Sequence, residues 1–466
     1  MPSSSRRSFL KVGMAGAAAG LATACTSAAP ASAPPASAPS GSTPSGSAYS
    51  VPLDPATSAA ATSPTPEAVP AAAAAAPTSQ PATPPAPPRP VVAPADRTLV
   101  VIQLSGGNDG LNAVVPYANG LYYQLRPQIG IPADQVLHLD DQIGLHPNLK
   151  SFKSLFDQHQ LAVIQGVGYP NASRSHFRSL EIWHTARPTG VAPAQGWLGA
   201  FMSEVYKVGD SPFQCVNFGS NVPQALLTER APIAALQDTN SFQFLVDKRL
   251  PAMKDPLLKA FGQVYSRPAQ KTPALNLVAS NWDTTTQSVD LLSKLGDKYQ
   301  SMAQYPNNPF GKTLQQVAQM LASNVGTRVF YVQLGGFDTH ANQKPAQATL
   351  MSQLADSLMA FQTDLEGHHL ADRVLTIGFS EFGRRVKENG SQGTDHGAAG
   401  PMFVVGKGVK GGVYGDHPNL AKLDDGDLSH TVDFRSVYAT VIEDWLGAPS
   451  QDVLGARYEK LNFISA

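Results

Sequence analysis

From residue 98 onward, short continuous apolar runs rich in β-branched residues recur at 98–104, 161–167, 328–334, 373–379 and 401–405. None alternates with polar residues as a half-exposed strand would, so each predicts a strand buried on both faces. Helical patterns lie between them. Leu350, Leu354, Leu358, Phe361 and Leu365 share one helical face, and Phe434, Val437, Tyr438, Val441, Ile442 and Trp445 trace another, with Asp433 placed to cap it. Strands alternating with helices predict an α/β fold, a mainly parallel sheet sandwiched by helices. In such sheets chemistry gathers at the carboxyl ends of the strands, where the loops project.

The N-terminal part follows a different pattern. From residue 26 to about 95 the sequence is almost wholly Ala, Pro, Ser and Thr, with Asp54 and Glu67 the only acids and Tyr49 the only aromatic. Such a segment has too little apolar surface to offset chain entropy, and its prolines bias it toward an extended spacer. We therefore read a low-complexity linker over 26–96 and one large domain over 97–466, with no second composition break.

Ahead of the linker, Ser5-Arg6-Arg7-Ser8-Phe9-Leu10-Lys11 and the weakly apolar stretch 12–24 resemble a twin-arginine export signal. Residues 1–25 are read as that signal, the twin-arginine translocase is the partner expected during export, and the periplasm or cell envelope is the expected location. Ala22-Thr23-Ala24-Cys25 is similar to the box preceding a lipidated cysteine, with Ala22 where leucine is usual. A lipid anchor at Cys25 and a soluble product both stay open. With only 2 Cys in the chain no disulfide framework is available, and Cys215 has no partner within the domain.

Charge narrows the function classes. A net charge of −1 with 15% charged residues leaves no basic stripe to neutralise phosphates, which argues against nucleic acid. The loops after the predicted strands hold the unusual polar residues. Ser105-Gly106-Gly107-Asn108-Asp109-Gly110-Leu111-Asn112 follows the first strand, Gly335-Gly336-Phe337-Asp338-Thr339-His340 the third and Ser380-Glu381-Phe382-Gly383-Arg384-Arg385 the fourth, while Gly393-Thr394-Asp395-His396-Gly397 precedes the fifth. An Asp-Gly after a strand is ordinarily a turn, and a single Asp-Thr-His an ordinary helix start. Several such loops meeting at one sheet edge change that balance, because grouped carboxylates are costly to bury without a cation. Asp109, Asp338, His340, Glu381, Asp395 and His396 are accordingly the candidate ligands of divalent metal ions, with zinc first and manganese or calcium as alternatives.

The second strand leads into Tyr169-Pro170-Asn171-Ala172-Ser173-Arg174-Ser175-His176. A hydroxyl at a helix start beside a cation can act as a nucleophile, which makes Ser175 the candidate and Ser173 its rival. Either serine is equally readable as a plain N-cap. His176 is the candidate base or ligand next to them.

Gly-Gly-Asn-Asp-Gly-Leu-Asn, Gly-Phe-Asp-Thr-His, Ser-Glu-Phe-Gly-Arg and Asp-His-Gly, in that order behind a twin-arginine signal, resemble the exported bacterial family called domain of unknown function 1501. That resemblance covers residue 98 to the C-terminus and implies an alkaline-phosphatase-like fold, in a superfamily that uses two metals and a Ser, Thr or modified Cys nucleophile. It implies Asp109 as first-strand ligand, Ser175 as nucleophile, and Asp338 with His340 as the next ligand pair. The chain departs from that superfamily in spacing Asp338 and His340 by Thr339 alone, and in placing Ser380-Glu381 where Asp-His is usual. No Cys-x-Pro-Ser-Arg block accompanies Ser175, which disfavours a formylglycine sulfatase.

Two functions compete. One is a metal-dependent hydrolase of phosphate or sulfate esters on a small molecule or glycan, with Arg174, Arg178, Arg384 and Arg385 as candidate anion clamps. The other is a non-catalytic cell-surface binding module on the same fold. A metal-free serine esterase is weaker, since Gly-x-Ser-x-Gly is missing.

Overall fold

The computed structural model describes residues 93–190, 192–207, 209–239, 251–265, 285–292, 294–295 and 299–465. The signal and lipid-box readings over 1–25, and the linker reading up to residue 92, lie outside the described residues.

The chain builds strands β1 (Thr98–Ser105), β2 (Leu161–Gly168), β3 (Cys215–Phe218), β4 (Ala234–Leu236), β5 (Val329–Gly335), β6 (Val374–Phe379), β7 (Gly400–Val405) and β8 (Gly412–Tyr414), then β9 (Leu423–Asp424), β10 (Asp427–Leu428) and β11 (Val432–Asp433). Nine of them form one sheet in the order β8-β2-β7-β6-β1-β5-β3-β4, with β11 also pairing β2. β1 lies at its centre, parallel to β5 through Val101↔Tyr331 and to β6 through Val101↔Ile377. β7 alone runs antiparallel, to both β2 and β6. That reversal matters for the site. It brings the start of β7 to the same edge as the ends of β1, β2, β5 and β6.

Helices cover both faces, as the alternation of the sequence predicts: α1 (His176–Thr185), α2 (Trp197–Val205), α3 (Pro309–Ala322), α4 (Gln343–Gly367) and α5 (Phe434–Thr440). Val100, Ile102 and Leu104 of β1 pack with α3 and α4, while Leu99 and Val101 enter the opposite core with α1, α2 and α5. Both sets are buried, which explains why the run carries no polar alternation; each such side chain contributes about 1.5–3 kcal/mol. Leu350, Leu354, Leu358, Phe361 and Leu365 of α4 are all buried. The Asp433 carboxylate accepts the Arg435 N–H at 2.9 Å and caps α5. Beyond α5 the helix widens into a π turn over Val441–Trp445, so the second apolar face continues past the regular helix. Among the described residues no helix is long and apolar enough to cross a membrane.

Candidate metal centre

The loops at this sheet edge are drawn together by one buried cation. The Arg384 side chain is fully shielded; its Nε donates to Gly107 O at 2.7 Å, and its terminal nitrogens donate to Thr394 O at 2.7 Å and Phe337 O at 2.9 Å. One guanidinium therefore fixes the loops after β1 and β5 and the loop before β7. Glycine makes the approach feasible, since Gly106 has φ +122° and a Cβ there would lie 2.3 Å from Asp338 N.

Asp338 is the centre of what these loops assemble. Its Oδ1 lies 3.0 Å from His340 Nε2, 3.0 Å from His396 Nε2 and 2.7 Å from an Arg384 nitrogen, and its Oδ2 lies 3.6 Å from His176 Nε2. Partial burial alone would raise its pKa, but hydrogen bonds from His396 and Arg384 hold it down at about 2. The ligand atoms of His176, Asp338 and His396 all lie within 4.8 Å of one another.

Each imidazole turns its other nitrogen outward to an acceptor. His176 Nδ1 meets Glu381 Oε1 at 2.9 Å, His396 Nδ1 meets the Arg174 carbonyl at 2.8 Å, and His340 Nδ1 meets Asp395 Oδ1 at 3.3 Å. A carbonyl or carboxylate can only accept, so Nδ1 carries the proton in all three rings. The Nε2 atoms then converge on Asp338, with a proton or a cation needed between them and its carboxylate. Imidazoles oriented this way by outer acceptors are how proteins present histidine to a divalent ion. Glu381 is itself held, accepting the Gly106 N–H at 2.8 Å on the same Oε1.

The eight sequence candidates thus divide by role. His176, Asp338, His340 and His396 come together with inward donors, whereas Glu381 and Asp395 stand behind His176 and His340. His340 joins the group despite the single intervening residue, because the turn places His340 N 3.2 Å from the Asp338 carbonyl. The structure does not bring Asp109 to them. Its carboxylate is buried, with Oδ2 2.5 Å from Arg126 and accepting also from Gln343 Nε2, while Oδ1 has no hydrogen-bond partner. Ser175 occupies the N-cap position of α1, exposed, with no side-chain capping bond. The candidate clamps divide as well. Arg384 is spent on loop carbonyls and the Asp338 carboxylate, Arg178 pairs with Glu181, and Arg174 and Arg385 reach Asp425 and Asp427.

Sequence reasoning missed Arg126, Gln343 and the acidic hairpin at Asp425 and Asp427. Arg126 donates to Asp109 Oδ2, to Asn112 Oδ1 at 2.8 Å and to Val386 O at 2.8 Å, contacts between segments that no local spacing reveals. The one local signal was Asp424-Asp425-Gly426-Asp427, a two-residue hairpin turn.

The fold and this group define an α/β protein with an imidazole–carboxylate centre at the carboxyl edge of its sheet. The chain belongs to the family described as protein of unknown function (DUF1501), which it matches over residues 96–445. No curated protein matches it. Among solved structures it is similar to a sulfatase from Pseudoalteromonas sp. at 13% identity, with TM-score 0.36, covering 78% of this chain and 70% of that one. It is also similar to the lipoteichoic acid synthase LtaP from Listeria monocytogenes, at 10% identity and TM-score 0.31 over 77% and 76% of the two chains. A protein in the alkaline phosphatase superfamily from Vibrio parahaemolyticus gives 8% identity and TM-score 0.34 over 78% and 70%. At these scores the likeness carries no argument about chemistry.

Proposed function

We propose that the domain is a metal-dependent hydrolase of phosphate or sulfate esters, acting on a small molecule or glycan outside the cytoplasm after twin-arginine export. The observation that carries this reading is the convergence of the His176, His340 and His396 Nε2 atoms on Asp338. An imidazole-rich donor set with one carboxylate suits zinc better than calcium, which prefers oxygen ligands. His176, Asp338 and His396 would hold the ion, which when bound supplies Lewis-acid stabilisation to the ester's oxygens.

The chain's own groups do the remainder. Glu381 keeps His176 turned inward, Asp395 does the same for His340, and the Arg174 carbonyl does so for His396. Ser175, exposed immediately before His176, is the hydroxyl proposed to attack the phosphorus or sulfur, with Ser173 as its rival. In that step the serine oxygen bonds to the central atom, the ester oxygen departs with a proton, and water later releases the group from the serine.

One observation favours the second reading, a binding module without turnover. Arg384 already donates to the Asp338 oxygen that faces His340 and His396, partly satisfying the carboxylate. Assaying an aryl phosphate and an aryl sulfate with wild type, Ser175→Ala and Ser173→Ala separates these. Loss with Ser175→Ala at unchanged metal content supports the serine pathway, and loss only with Ser173→Ala moves the role there. No turnover by metal-loaded wild type of either ester points to the binding module.

A further inference from the structure

We propose that Arg174 and Arg385 form a binding subsite for a tetrahedral oxyanion beside the imidazole group, closed in the resting chain by the carboxylate of Asp425. The inference deepens the hydrolase reading and rests on it for the claim that the bound anion belongs to an ester.

The two arginines come from different loops and share one carboxylate oxygen. Arg174 places a terminal nitrogen 2.9 Å from Asp425 Oδ2, and an Arg385 terminal nitrogen lies 3.5 Å from the same atom. Arg385 also donates to the Asp425 carbonyl at 2.6 Å. Both residues are tied by their backbones to the centre. The Arg174 carbonyl accepts from His396 Nδ1 at 2.8 Å, and the Arg385 N–H donates to Asp395 O at 3.0 Å. Arg174 also leads directly into Ser175 and His176.

The two acids that hold these arginines differ in kind. The Asp425 side chain is 76% exposed and that of Asp427 is 5% exposed. An exposed ion pair is weak and screened by salt, so Asp425 can leave at small cost. Asp427, with its Oδ2 2.9 Å from Arg174 Nε, stays to orient the fork. The carboxylate that leaves resembles what would replace it. Two guanidiniums converging on one oxygen suit a sulfate or phosphate group, which offers several oxygens to their planar forks.

The backbone presets this arrangement. Asp425 and Gly426, at φ +48° and +81°, make the two-residue turn of the β9–β10 hairpin, both in the left-handed region. A Cβ at Gly426 would lie 2.6 Å from an Arg385 terminal nitrogen, so a larger residue there would displace that guanidinium from the turn. Leu428, with Leu423 packed alongside, anchors the hairpin in a cluster with Leu420 and Val386, which leaves the tip to carry Asp425.

Calorimetric titration of the full-length protein as purified with sodium sulfate and with sodium phosphate tests the proposal without needing turnover. Removing a negative charge a few ångströms from the anion should tighten binding about five- to tenfold in Asp425→Asn, and Asp425→Ser should behave alike. Arg385→Gln, with an unchanged melting temperature, should lose the binding. Whichever anion binds tighter names the ester. Asp425 variants that fold yet bind no tighter than wild type, or an Arg385→Gln that binds as wild type does, would overturn the subsite. Anion binding tightened by Asp425→Asn in a protein that turns over neither ester would leave the subsite standing and remove the hydrolase reading.

Discussion

The Nε2 atoms of His340 and His396 lie 3.0 Å apart, and both are 3.0 Å from Asp338 Oδ1. With both Nδ1 atoms committed to outer acceptors, two lone pairs face each other at hydrogen-bond distance. That contact needs a proton or a cation between the rings. The outer acceptors should therefore control metal affinity without touching the ion. Glu381→Gln, which weakens the hold on His176 Nδ1, should lower zinc affinity about 10–100-fold in a competition titration. Unchanged affinity would show that His176 is not a ligand.

Asp109 and Arg126 make a different prediction, because both side chains are essentially inaccessible. Removing one partner of a buried pair leaves an uncompensated charge, so Arg126→Ala should cost about 3–5 kcal/mol in denaturant unfolding. A double replacement by apolar residues of similar size should recover much of that loss. Asp109→Asn should leave metal content unchanged. Metal lost with that variant, in a protein still folded, would restore Asp109 as a ligand.

Two buried histidines set an acid limit on stability. Burial is the main cause that takes His184 down to about 4, and burial likewise takes His146 to about 4, where its Nδ1 accepts the Asn148 N–H at 3.0 Å. In the unfolded chain both titrate near the ordinary 6.5. Between those values the unfolded chain binds more protons, so stability falls as pH is lowered from 6.5 toward 4 and is unaffected by these groups above that window. Each should contribute on the order of 3 kcal/mol across the full range. Denaturation midpoints of metal-free protein at pH 7 and pH 5 should converge in His184→Gln relative to wild type. An equal drop in both would assign the acid sensitivity elsewhere.

Gly106 separates the site from the core. Its positive φ and the 2.3 Å approach of a notional Cβ to Asp338 N mean that Gly106→Ala must displace the loop bearing Asp338 and His340. Metal binding should fall more than tenfold in this variant while far-ultraviolet circular dichroism stays native, since the sheet itself lies below the loop. Retained affinity would show that the loop positions its ligands by other means.

The fold was legible where burial is complete. The runs that became β1, β2, β5, β6 and β7 could be read because both their faces are covered, and α4 because one face is. The direction of β7 was not legible, because a continuous apolar run looks the same in either sense. β3 and β4, of four and three residues, were too short to stand out. At the site, the loop residues were identifiable by position at the strand ends, but their division into inward donors and outer acceptors depends on ring orientation. Asp109 shows the limit most clearly. Its sequence context matches a ligand loop, and its pairing with Arg126, seventeen residues on, has no local signal in the sequence.

The central claim is that His176, Asp338 and His396 hold a divalent ion, and metal content of the purified protein tests it most directly. Elemental analysis after dialysis against trace metals should find one zinc per chain, falling to background in His396→Ala, with the wild-type melting temperature rising on zinc addition. No bound divalent ion in wild type, together with no thermal shift on adding zinc, manganese or calcium, would contradict the account.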